Sequence, residues 1–218
     1  MKKFLFKYTV VVKSLCSMQT NYLYLHSPPF LMHKAIFLDK DGTLVDNSGY
    51  PQEIPSDLLL EDEVLDGLYF LQQRGFKLII ISNQSWIAKG RLSKKEVEDI
   101  FRSVVQRLES LGITLHGYYY CPHKASDECS CRKPNIGLFL RAAQEHGIQL
   151  EQSFMIGDME DDILAGKNAG VKTVLVRTGR GKDFNSSAVT PNHVIENLNG
   201  ISEVLEAIER SKNEKGNT

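Results

Sequence analysis

Hydrophobic and polar positions fall into a regular pattern only from Met32 onward. Ala35-Ile36-Phe37-Leu38 is wholly apolar and ends in an acidic residue, as a parallel strand buried on both faces would. Glu63 to Arg74 carries Val64, Leu65, Leu68 and Leu71 at helical spacing, with Gly75 as its stop. Lys77 to Ile81 predicts a second buried strand, and Ser93 with Glu96 three residues on forms a capping box opening a helix to about Leu111. Tyr118-Tyr119-Tyr120 predicts a third strand. Beyond it lie a helix over Gly137 to His146, a strand over Phe154 to Ile156 closing on Gly157-Asp158, and a helix over Asp162 to Asn168. A strand over Thr173 to Val176 and an amphipathic helix over Ile201 to Ile208 complete the series. Strands alternating with helices predict an α/β fold, a doubly wound parallel sheet with right-handed crossovers.

The ends depart from this pattern. Residues 1–31 begin like a signal peptide, but Lys7 and Lys13 interrupt the apolar stretch and no small-residue cleavage site follows. We read them as a dispensable leader in which Cys16 and His26 are incidental, residues 32–210 as one domain, and residues 211–218 as a polar, frayed tail. The chain has 218 residues, room for one α/β domain. Its net charge of −1 offers no electrostatic footprint for nucleic acid or an anionic membrane, so a phosphorylated ligand would need locally placed cations. No run approaches the roughly 18 apolar residues of a membrane span.

The residues leaving the predicted strand ends are those that phosphoryl chemistry needs. In open α/β sheets ligands sit beyond the carboxyl ends of the strands. Those ends deliver Asp39 and Asp41, then Ser82-Asn83-Gln84, then Asp158, while Arg132-Lys133 precedes a helix. Asp39 at a strand tip is suited to attack phosphorus, and Asp41 to protonate the leaving group and later activate water. Ser82 and Lys133 would hydrogen-bond the transferring group's equatorial oxygens. Hard oxygen ligands from Asp39, Asp41 and Asp158 suit Mg²⁺. The acidic pair Asp158 and Asp162 also suits a helix N-terminus for its dipole alone.

Asp39-Lys40-Asp41-Gly42-Thr43, Ser82, Lys133 and Gly157-Asp158 with Asp162 resemble, in order, the four motifs of the haloacid dehalogenase-like superfamily, over roughly Met32 to Thr178. The resemblance implies a Rossmann-like core and hydrolysis through an aspartyl-phosphate. Between Thr43 and Ser82 there is room for one loop and one helix, so the chain should be cap-less. Specificity should then come from short loops such as Asn47 to Ser56.

Three of the four cysteines crowd one segment with a histidine. Cys121, His123, Cys129 and Cys131 make a Cys₃His set, the donors of a closed structural Zn²⁺ site in a reducing compartment. A redox pair or buried free thiols is the plainer reading. Cys121-Pro122-His123 and Cys129 to Pro134 are similar to the cap-less subgroup that holds heptose-bisphosphate phosphatases and histidinol-phosphate phosphatases. Ser82-Asn83-Gln84-Ser85 with Ile87-Ala88-Lys89-Gly90, together with Gly49-Tyr50 and Val176-Arg177-Thr178-Gly179, resembles the heptose branch.

That resemblance implies removal of the 7-phosphate from D-glycero-D-manno-heptose 1,7-bisphosphate by a cytoplasmic monomer that feeds nucleotide-activated heptose synthesis. Asn83 and Arg132 would contact the small phosphorylated sugar, Arg132 gripping a distal phosphate. Histidinol phosphate or another small phosphorylated metabolite is the alternative substrate, and a non-catalytic zinc-stabilised binding module the alternative class. Trp86, where the heptose branch has glycine, and Lys40, where arginine is commoner, depart from the pattern.

Overall fold

A computed structural model describes residues 32–46, 61–185 and 189–215. Its strands are β1 (Ala35–Leu38), β2 (Lys77–Asn83), β3 (Leu115–Cys121), β4 (Phe154–Gly157), β5 (Lys172–Val176) and β6 (His193–Ile195). Its helices are α1 (Glu61–Gln73), α2 (Lys94–Ser110), α3 (Gly137–His146), α4 (Glu160–Ala169) and α5 (Ile201–Lys215). The strands form one sheet in the order β3-β2-β1-β4-β5-β6, every neighbouring pair parallel.

The two-residue period of each strand decides which layer a side chain joins. Ile36 and Leu38 of β1 face a core completed by Leu68 of α1, Phe101 of α2 and Leu205 of α5. Ala35 and Phe37 face the opposite core, with Phe139 of α3 and Ala165 of α4. Both faces are covered over the middle of the sheet, which is why β1, β2, β4 and β5 read as largely apolar runs.

Most predicted elements are present, with longer ends. The capping box at Ser93 is formed, its hydroxyl accepting from the Glu96 N–H. β3 begins three residues before the tyrosine run because Leu115 pairs with Leu78. α4 begins at Glu160 rather than Asp162, and α5 extends beyond Ile208 to Lys215, so the polar residues from Ser211 to Lys215 continue the helix. β6 was not anticipated, being only three residues long and half exposed at Val194. Among the described residues α1 is the one helix between β1 and β2. The leader (residues 1–31), the Asn47 to Ser56 loop with Gly49-Tyr50, and residues 216–218 lie outside the described residues. No described helix is long and apolar enough to cross a membrane.

Candidate active site

The strand order reverses between β1 and β4, so the chain leaves those two ends in opposite directions and opens a crevice there. Asp39 follows β1, and its N–H donates to Ile156 O at 2.9 Å, carrying the β1–β4 pairing to the rim. Asp158 follows β4. The turn after Asp39 is anchored by Leu44 and Val45, both buried in the core. Each such burial contributes about 1.5–3 kcal/mol.

Two glycines let the backbone close around Asp158. Gly42 (φ +86°) and Gly179 (φ +51°) both adopt left-handed backbone, and a Cβ on either would fall within 2.3 Å of Asp158 Oδ2. Arg180 N–H donates to that same oxygen at 2.8 Å, and Thr178 Oγ1 donates to Gly42 O at 2.6 Å.

Lys133 is the electrostatic centre. It is 1% exposed, and its ammonium lies 2.6 Å from Asp39 Oδ1, 2.6 Å from Asp162 Oδ1 and 2.7 Å from Ile81 O. Burial pulls its pKa down, but Asp162 and Asp39 outweigh that and hold the ammonium above its ordinary range. Asp162 therefore has a defined job. One oxygen binds Lys133, and the other accepts from the Met159 N–H at 3.0 Å, capping α4. Its charge thus sits at the N-terminus of α4, where the helix dipole favours it, and against the Lys133 ammonium.

The expected site residues converge, but two have different occupations from those anticipated. The carboxylate cluster consists of Asp39, Asp158 and Asp162, with ligand atoms within 4.8 Å of one another, and Asp41 is not in it. The Asp41 carboxylate instead accepts from Lys40 Nζ at one oxygen and from Gln84 Nε2 at the other, the latter at 2.8 Å. Asn83 lines the cleft, yet both ends of its amide hold Lys133: Nδ2 donates to Lys133 O at 3.1 Å, and Oδ1 accepts from Lys133 N–H at 3.0 Å. It fixes the lysine's backbone, a role invisible in the motif.

The carboxylate cluster fits a divalent cation. Burial pushes Asp39 up from the ordinary 3.8 to about 7 against the pull of Lys133, with Asp162 and Asp41 adding to the rise. Burial, then Asp39 and Asp162, push Asp158 up to about 8. Asp158 Oδ1 is buried with no hydrogen-bond partner among the described residues, a vacant hard donor facing its neighbours' charge. Because the folded pKa values are raised, the folded protein holds protons that the unfolded chain releases above about pH 4. Metal-free protein should thus lose stability as pH rises from about 4 to about 8. Mg²⁺, replacing those protons, should raise the melting temperature more at pH 8 than at pH 5. Thermal unfolding at both values checks this, and an equal Mg²⁺ shift would refute it.

Cys121, His123, Cys129 and Cys131 form a second cluster at the end of β3. Cys131 Sγ lies 3.2 Å from Cys121 Sγ and 3.4 Å from Cys129 Sγ, and His123 Nδ1 lies 3.6 Å and 3.3 Å from Cys121 and Cys131. Ligands of a tetrahedral Zn²⁺ stand about 3.5–3.8 Å apart. The four donors therefore already sit at nearly the right edges, and the three thiols are not in disulfides. The loop they gather is tied down by Gly137 N–H on Ser130 O (3.0 Å) and Asn135 Nδ2 on Cys129 O (2.7 Å). It runs straight into Arg132 and Lys133.

A cleft of about 290 Å³ opens over Asp39, Asp41, Ser82 and Lys133, lined also by Trp86, Lys89, Arg132, Met159, Asp161 and Arg180. Trp86 packs against the core while Lys89 and Arg91 lie over its ring at 4.7 Å and 5.1 Å, so the indole forms a wall of the cleft. Arg180 is the residue that sequence reasoning passed over, and Gln84 stood there without a role. Arg180 leaves the carboxyl end of β5, where the strand-end rule would have found it.

Comparison with known proteins agrees with this geometry. A family model described as HAD-hyrolase-like matches residues 130–201. The chain is 37% identical over 186 residues to the D-glycero-beta-D-manno-heptose-1,7-bisphosphate 7-phosphatase of Pasteurella multocida, covering 81% of this chain and 99% of that protein. It is 42% identical over 145 residues to the Helicobacter pylori enzyme of the same name, covering 66% of this chain and 83% of that one. The D,D-heptose 1,7-bisphosphate phosphatase of B. bronchiseptica, solved with magnesium and phosphate, superposes with a TM-score of 0.71 at 27% identity, covering 80% of this chain and 98% of that one. With a switch-point carboxylate cluster of this kind and identity sustained over the full length of a relative, the chain belongs to the D-glycero-beta-D-manno-heptose-1,7-bisphosphate 7-phosphatase family of haloacid dehalogenase-like hydrolases.

Proposed function

We propose that the chain removes the 7-phosphate of D-glycero-β-D-manno-heptose 1,7-bisphosphate through an aspartyl-phosphate on Asp39. The observation that carries this reading is the buried Asp39–Lys133–Asp162 contact in a cleft that also presents Lys89, Arg132 and Arg180, in a chain whose relatives bear that activity in their names. An oxygen of Asp39 attacks phosphorus as the bond to the sugar oxygen breaks, and Asp41 gives that oxygen its proton. Asp41 then takes a proton from water as the water attacks phosphorus, releasing phosphate and restoring Asp39. Ser82 and Lys133 donate to the phosphoryl oxygens throughout. Arg132 meets the distal phosphate, with Lys89 and Arg180 on the same cleft.

Asp39 and Asp158 would hold Mg²⁺, which supplies charge neutralisation to the carboxylates and the phosphoryl oxygens when bound. Asp41, its carboxylate engaged by Lys40 and Gln84, would stand beside that ion. The Cys₃His cluster would hold a structural Zn²⁺, stiffening the loop that delivers Arg132 and Lys133. Metal analysis should return about one zinc per chain, and zinc-free active protein would reject the site. The working form is a cytoplasmic monomer whose product enters nucleotide-activated heptose synthesis.

A substrate panel in Mg²⁺ tests the assignment. The β-bisphosphate should exceed both its α-anomer and histidinol phosphate in kcat/KM by about tenfold or more, within the range that a pocket lined by placed polar groups can discriminate. The reverse ratio against histidinol phosphate would transfer the chain to the other branch of the subgroup.

A further inference from the structure

Gln84 is 1% exposed, an unusual place for a side-chain amide unless its hydrogens are spoken for. Its Nε2 lies 2.8 Å from Asp41 Oδ2 and 2.9 Å from Ser82 Oγ. A carboxylate only accepts, so the NH₂ end of the amide faces Asp41, and its two hydrogens match the two acceptors. On the far side of the same carboxylate, Lys40, fully buried, donates to Oδ1. Gln84 is itself held from behind, its N–H donating to Cys121 O at 2.7 Å, so the amide is tied to the end of β3.

From this geometry we infer that Gln84 and Lys40 are positioning residues that clamp Asp41 from both sides for proton transfer, and that Gln84 also turns Ser82. Ser82 Oγ accepts from Gln84, which leaves the hydroxyl hydrogen to be donated toward the cleft that Ser82 lines. One amide thus aligns the proton carrier and a phosphoryl donor together. Glutamate in its place would bring a second carboxylate against Asp41 and offer no donor, and leucine would keep the volume but lose both bonds. The inference rests on the reading of Asp41 as the acid and base of the reaction.

The test uses two substrates that differ in their need for a proton. The sugar bisphosphate leaves as a basic alkoxide and requires the proton from Asp41, whereas p-nitrophenyl phosphate leaves as a stable phenolate and does not. Misaligning Asp41 should therefore slow formation of the aspartyl-phosphate much more from the first than from the second, while its hydrolysis, in which Asp41 is the base, slows alike for both. For Gln84→Leu we expect kcat/KM, which reports formation of the aspartyl-phosphate and not its hydrolysis, to fall about 10²-fold on the heptose bisphosphate and less than about tenfold on p-nitrophenyl phosphate. Lys40→Met should show the same selective loss and Lys40→Arg should largely restore it, which guards against a single variant that fails to fold. Equal losses on the two substrates in the Gln84 and Lys40 variants would overturn the clamp, leaving at most the contact with Ser82. Asp41→Asn serves as the benchmark. If it shows no selectivity between the substrates in kcat/KM, the acid reading of Asp41 on which the clamp rests falls; if it does while the clamp variants do not, only the clamp falls.

Discussion

Asp39→Asn should lower turnover of the heptose bisphosphate by about 10⁴-fold or more, the scale on which loss of a nucleophile is felt, while the protein folds as well as the wild type or better. The substitution keeps the shape of the side chain and an oxygen to accept from Lys133, which lies 2.6 Å away. It removes the atom that would attack phosphorus. It also removes one of three buried carboxylates that crowd one another, with Asp39 and Asp158 pushed up to about 7 and about 8 by burial and mutual repulsion. A site that stores such repulsion gives up stability for function, so neutralising it should stabilise metal-free protein at pH 8 more than at pH 5. Kinetics and thermal unfolding on the same preparation check both halves. A variant retaining a hundredth of wild-type turnover would move the nucleophile to another carboxylate.

Lys133→Met should be damaging in both respects. The ammonium has three close partners, Asp39, Asp162 and Ile81 O, and is 1% exposed. Removing it strands two buried carboxylates, a loss of the order of 3–5 kcal/mol, and deletes a phosphoryl donor, a loss of about 10²–10³ in kcat. The two effects separate in a double variant. Lys133→Met with Asp162→Asn should recover much of the melting temperature without recovering activity, since Asp162 acts here by holding the lysine. Recovery of activity along with stability would show that Lys133 serves only the fold.

The reaction class was legible because phosphoryl chemistry demands particular groups at particular strand ends. Asp39, Ser82, Lys133 and Asp158 each follow or approach an element whose apolar run is unmistakable, and the sheet brings those ends to one crevice. The Cys₃His set was legible for a similar reason: the donors are close in the chain, so local folding alone gathers them. β6 escaped because three residues are too few for a period to register, and the polar end of α5 because its helix continues without burying an apolar face.

What the sequence by itself determined is thus the fold class, the kinds of donor at the crevice and the metals they suit. Only the tertiary structure decided who holds whom. Asn83 was expected at the substrate and grips the Lys133 backbone; Asp41 was expected in the metal cluster and is clasped by Lys40 and Gln84; Asp162 steadies Lys133. The physical reason is one of range. A motif records the side chain that a strand end presents, whereas a hydrogen bond depends on a few tenths of an ångström between segments as far apart as Asp39 and Lys133, a separation that only the packed sheet sets.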